Sequence, residues 1–130
     1  IKIGKTVIVS TFAAILAILY IQLSFRVIKL RRAKRISLGD GGDKSLQAAI
    51  RTHANFIEYV PFSLILLFLL EYQGLPSHYC YILGAMLVAG RFCHSYALAD
   101  NLMKLRVLGM MLTFITILIS AVMLLVTQVF

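Results

Sequence analysis

Five polar residue types crowd into one short run: Arg51-Thr52-His53-Ala54-Asn55-Phe56-Ile57-Glu58. An apolar tract, Pro61-Phe-Ser-Leu-Ile-Leu-Leu-Phe-Leu-Leu, follows almost at once. Ionised groups inserted near a bilayer centre cost about 2.5–3.5 kcal/mol each. A segment that carries several together is expected to use them. Gln47, Arg51, Asn55 and Glu58 are spaced by four, four and three. On a helix they fall within about 80° of one face, with His53 turned toward a different neighbour.

A second group lies in Gly90-Arg91-Phe92-Cys93-His94-Ser95-Tyr96, where Arg91, His94 and Ser95 share a helix face. A third opens the last apolar stretch, with Lys104 and Arg106. At least three arginines here meet one glutamate, Glu58. The surplus is positive and calls for an anionic ligand. Arginine forks suit carboxylates, and Glu58 suits an ammonium group. A small zwitterion with two carboxylates and one amine would match. Glutathione is such a molecule, although residue types alone do not single it out.

The elements that must position these groups are membrane helices. The chain has 130 residues, of which 61% are hydrophobic and 14% charged. A soluble domain is about 45–50% apolar. Four apolar stretches predict an all-α, four-helix integral membrane bundle in one domain, with spans at about 5–32, 46–72, 77–98 and 104–130. Alternating apolar and polar residues are absent, which argues against a transmembrane barrel. The first stretch is too long for a cleaved signal peptide. Pro61 is expected to kink the second helix, Ser45 to cap its start, and Gly74-Leu75-Pro76 to turn the chain.

Seven of the thirteen basic residues lie between Arg26 and Lys44, directly after a span. They read as a cytoplasmic loop that attracts anionic lipid, and not as a nucleic-acid surface. Both termini are then expected outside the cytoplasm. Cys80 and Cys93 have neither a metal-type nor a paired spacing, so no metal site or disulfide is expected. Thr113, Thr116 and Ser120 read as a small-residue packing stripe.

Arg51-x-His53-x-Asn55-x-x-Glu58 with a proline soon after, then Gly90-Arg91-x-x-His94, then an arginine opening the last span, resembles the MAPEG family of membrane-associated proteins in eicosanoid and glutathione metabolism. The resemblance covers nearly the whole chain and is most specific in the second helix. It implies a homotrimer with glutathione bound between subunits near the cytoplasmic face. It also implies glutathione contacts at Arg51, Asn55 and Glu58, contacts or supports at Arg91 and His94, and a helix 1 arginine, Arg31, reaching the ligand. Arg106 matches the arginine that stabilises the glutathione thiolate in enzymatic members. A free thiol titrates near ~8.5, and a neighbouring cation lowers such a value by about 1–3 units.

The chain departs from the prostaglandin E synthase branch. Ala54 replaces an arginine, Val107 a serine and Leu98 a tyrosine, with Tyr96 close by as the aromatic candidate. These departures argue against that branch's own activity and point to generic bacterial members of the inner membrane. The expectation is a glutathione-dependent transferase or peroxidase acting on lipophilic electrophiles or lipid hydroperoxides. A non-catalytic lipid-binding or scaffold protein is the alternative. A channel is disfavoured, because the middles of helices 1, 3 and 4 carry no ionisable group.

Overall fold

A computed structural model describes residues 7–100 and 102–129, with side chains described for 7–97 and 102–127. The expected start of helix 1 near Lys5, the end of helix 4 at Phe130, and the Leu98 side chain lie outside the described residues. Four helices follow in order: α1 (Val7–Lys34), α2 (Lys44–Tyr72), α3 (Ser77–Asp100) and α4 (Met103–Val129). No strand occurs among the described residues. α1, α2 and α4 are long and apolar enough to cross a membrane. The chain is therefore a multi-pass membrane protein. α3 has 24 residues, about 36 Å of helix, with Arg91 and His94 in its second half.

α2 and α3 touch each other and each of the other two helices, whereas α1 and α4 do not meet among the described residues. The polar residues of α2 and α3 thus sit on the two central helices. Leu16, Leu19 and Leu23 of α1 pack on Phe56, Val60, Leu67 and Leu70 of α2 and on Leu83 and Leu87 of α3. Ile18, Phe25, Leu118 and Leu125 are exposed, as a lipid-facing surface requires.

Lipid is as apolar as leucine, so helices in a bilayer associate through close packing. Gly90 and Gly109 supply it between α3 and α4. A Cβ on Gly109 would stand 2.5 Å from the Gly90 carbonyl oxygen and 2.7 Å from the His94 nitrogen. Thr113, beside Gly90, and Thr116 and Ser120 further along α4 are fully buried.

The two ends differ. At the basic end, Asp43 caps α2: its Oδ1 accepts from the Leu46 N–H at 2.8 Å. This corrects the expected cap at Ser45, which lies inside the helix. A carboxylate is the stronger acceptor, and Asp43 also pairs with Lys34 Nζ at 2.8 Å, closing the loop. Lys34 holds the Asp43 carboxyl below the usual carboxylate range, helped by the Leu46 N–H. α3 also runs two residues beyond the expected Leu98, to Asp100. α2 continues through Pro61 as helix.

At the opposite end, Gly74 turns the chain in the left-handed region at φ 95°, while the Leu75 N–H donates to the Leu70 carbonyl at 3.0 Å. Glu71, buried in the last turn of α2, accepts from the backbone N–H groups of Ile8 (2.9 Å) and Val9 (2.8 Å). It caps α1 from another helix, placing a carboxylate where orphan donors and the helix dipole favour one. Sequence reasoning passed over Glu71. Its one signal was a lone acid at the end of an apolar run.

Candidate functional site

Arg91 organises the site. Its position on central α3 turns it into the bundle, where it is 0% exposed. Its Nη2 donates to Asn55 Oδ1 of α2 at 2.6 Å. Its Nη1 lies 3.5 Å from Thr113 Oγ1 and 3.7 Å from Met110 Sδ, both on α4. One guanidinium therefore ties three helices. The Phe56 ring lies beneath it, 5.8 Å from Cζ to the ring centroid.

No carboxylate comes within ion-pair distance of Arg91 among the described residues. Its Nε is buried with no hydrogen-bond partner. Burying a cation costs several kcal/mol. Neutral acceptors repay part of that cost and leave the charge itself uncompensated.

His94 stands one turn further along α3, buried, with Nδ1 3.3 Å from Arg91 Nη2. A guanidinium has only donors, so Nδ1 accepts here and the neutral ring carries its proton on Nε2.

The rest of the α2 stripe faces outward. Gln47 is exposed, and Arg51 and Glu58 lie two turns apart, 3.9 Å from each other, with 64% and 49% of their side chains exposed. His53 turns to α1, as its angle on the helix predicts. It stacks on Tyr20 at 4.9 Å, and its Nε2 lies 3.0 Å from Ser24 Oγ. Ser24 already donates to the Tyr20 carbonyl, so the histidine is the donor to its oxygen.

Of the expected contacts, Asn55, Arg91 and His94 form one network. Arg51 and Glu58 form a separate exposed pair. Arg31 does not reach this network; it donates to the loop carbonyls of Gly39 (2.7 Å) and Ile36 (3.3 Å). Tyr96 is exposed and stacks on Phe92. Arg106, near the start of α4, is exposed.

Four contacts escape sequence reasoning. Thr113 reads as a packing residue in sequence, yet its hydroxyl, donating to the Gly109 carbonyl at 2.9 Å, also meets Arg91. Met110 and Phe56 gave no polar signal. Arg26 reaches from α1 to the Ser95 carbonyl at 3.5 Å.

Chemically, the arrangement joins a buried cation, a neutral imidazole and an amide near an exposed Arg–Glu pair. Those groups have the chemistry to hold a polar ligand bearing both signs of charge.

Comparison with known proteins agrees with the architecture. The chain is similar to the inner membrane protein YecN of Escherichia coli strain K12, with 37% identity over 108 residues, covering 83% of this chain and 82% of the relative. The YecN of Escherichia coli O6:H1 matches to the same extent. The MAPEG family model matches residues 9–126, which include Arg91 and its partners on α2, α3 and α4. Together with the four-helix fold and the buried Arg91, these matches place the chain in the MAPEG family.

Proposed function

We propose that this protein is a glutathione-dependent transferase or peroxidase of a bacterial inner membrane. Its substrates would be lipophilic electrophiles or lipid hydroperoxides. We infer a homotrimer, as membership of the family suggests; both termini would lie outside the cytoplasm, because the basic α1–α2 loop favours a cytoplasmic position.

The observation that carries this reading is Arg91: a fully buried cation without a carboxylate, its Nε unpartnered, in a hydrogen-bonded network with Asn55 and His94. A tripeptide with two carboxylates and an ammonium fits that donor set. Arg91 and Asn55 would hold a carboxylate and its neighbouring amide. Arg51 would hold the second carboxylate, and Glu58 the ammonium. The outward aspect of Arg51 and Glu58 suits a ligand shared with a neighbouring subunit.

His94 keeps the Arg91 fork oriented, and Thr113 fixes its other nitrogen. Tyr96 and Arg31 are further candidate contacts. Glutathione, when bound, supplies a sulfur nucleophile, so no protein serine or cysteine is needed. Arg106 would keep the proton off that sulfur, a preference of roughly 1.4–4 kcal/mol for a close cation. The test is glutathione conjugation to chlorodinitrobenzene by the native protein and by Arg106→Ala. Equal rates would remove Arg106 from this role.

A second reading, a non-catalytic lipid-binding member, draws on one observation. The Arg106 side chain is exposed and has no hydrogen-bond partner among the described residues. That reading predicts lipid binding with no thiolate absorbance on adding glutathione.

A further inference from the structure

Three buried polar side-chain atoms have no hydrogen-bond partner among the described residues: Arg91 Nε, Ser95 Oγ and Ser120 Oγ. Two of the three belong together. Arg91 and Ser95 are four apart on α3, so they share a helix face, with their Cβ atoms about 5–6 Å from each other. Both residues are enclosed, at 0% and 1% exposure.

The Ser95 hydroxyl differs from other buried hydroxyls of the bundle. Thr52, Ser63, Thr113 and Thr116 each donate to the carbonyl four residues back. Ser95 does not, so its proton stays available, as does the Arg91 Nε–H. Two donors and a positive charge therefore lie one turn apart, and no carboxylate pairs with Arg91 among the described residues. A second cation approaches from α1, where Arg26 donates to the Ser95 carbonyl at 3.5 Å. Arg26 is half-buried and also borders the cleft between α1 and α2 at the basic end. Ser120, by contrast, has no charged residue within a turn of it on α4.

A water molecule would accept from both donors and leave the buried charge as it is. An anion accepts from both and neutralises the charge as well. Enclosure favours an ion the size of one atom. The cost of desolvation rises with the square of the charge, so it also favours a single charge. We propose that Arg91 Nε and Ser95 Oγ, with Arg26 beside them, hold one chloride ion inside the bundle. The ion supplies the counter-charge that Asn55, His94 and Thr113 do not. The site goes beyond the glutathione reading and does not depend on it.

The test is a chloride titration of the full-length protein in neutral detergent, without thiol, with chloride replacing gluconate at fixed ionic strength. Melting temperature and the chloride NMR line width are read together. The native protein should give a saturable rise in melting temperature and a broadened chloride line. Ser95→Ala removes a hydroxyl that no protein group uses, so the fold should hold. The chloride needed for half the effect should rise about tenfold, as the loss of one hydrogen bond to a charged partner implies. Ser120→Ala is the same deletion away from any cation and should respond like the native protein. Arg91→Met should abolish both signals. Should Arg91→Met fail to fold, the contrast between Ser95→Ala and Ser120→Ala carries the test. The proposal is overturned if the native protein gives no saturable response, as a site holding only water would. It is overturned equally if Ser95→Ala and Ser120→Ala respond alike, or if folded Arg91→Met keeps the response.

Discussion

The Arg91 guanidinium of α3 and the Asn55 amide oxygen of α2 meet at 2.6 Å inside the bundle. This bond joins two residues 36 apart in the chain and makes a charged residue part of the helix-packing core. Asn55 compensates the cation as a dipole and leaves its net charge unneutralised. A carboxylate in the same place would satisfy Arg91 and close the site.

Arg91→Met separates fold from function. The substitution removes a desolvated charge while leaving Asn55 with an unpaired oxygen. The unpaired Asn55 oxygen costs about 1–3 kcal/mol, and relief of the desolvated charge offsets most of it. Thermal melting in detergent should correspond to a change within about 1 kcal/mol. Glutathione binding, measured by calorimetry, should be lost. A variant that unfolds would give Arg91 a chiefly structural role.

Glu71→Ala removes the acceptor of the first N–H groups of α1. Two charge-assisted bonds at a helix N-terminus disappear together. The expected cost is about 2 kcal/mol, read as a lower melting temperature. Hydrogen exchange should rise at Ile8 and Val9 and stay unchanged around Arg91.

Gly109→Ala forces a Cβ against the backbone of Gly90 and His94. Backbone yields less readily than a side-chain tip, so α4 must move away from α3. Destabilisation of about 1–3 kcal/mol is expected. Thr113 and Met110 move with α4, so glutathione affinity should fall further than after Glu71→Ala at matched stability.

Asp43 confers an acid limb on stability. Its folded carboxyl is held below the usual value, first by the Lys34 hydrogen bond and then by the Leu46 N–H. Its contribution is present above the unfolded carboxyl's value of about 3.9 and fades as pH falls through the folded value. Asp43→Asn should flatten that part of a melting-temperature profile below about pH 4 and leave the neutral-to-alkaline side with its shape unchanged.

The parts legible in sequence were those with a period. Asn55, Arg91 and His94 are legible together because three- and four-residue spacing sets a helix face. His53 was assigned to another neighbour for the same reason, and it faces α1. Periodicity says nothing about which neighbour covers a face. Arg51 and Glu58 share the stripe with Asn55 yet pair outside the bundle, while Asn55 turns in. The Asp43 cap and the Glu71 cap depend on tertiary partners, Lys34 and the start of α1. Thr113 was unreadable as an Arg91 partner because a buried threonine satisfied by its own helix looks the same in sequence.

Arg106 and Arg91 divide the proposed work: one over the sulfur, one over a carboxylate. Ultraviolet difference spectroscopy of the purified protein with glutathione measures the thiolate directly. The native protein should develop the thiolate band at neutral pH. Arg106→Ala should retain glutathione binding by calorimetry and lose the band. A full-strength band in Arg106→Ala, or no band in the native protein at saturating glutathione, would contradict the proposal.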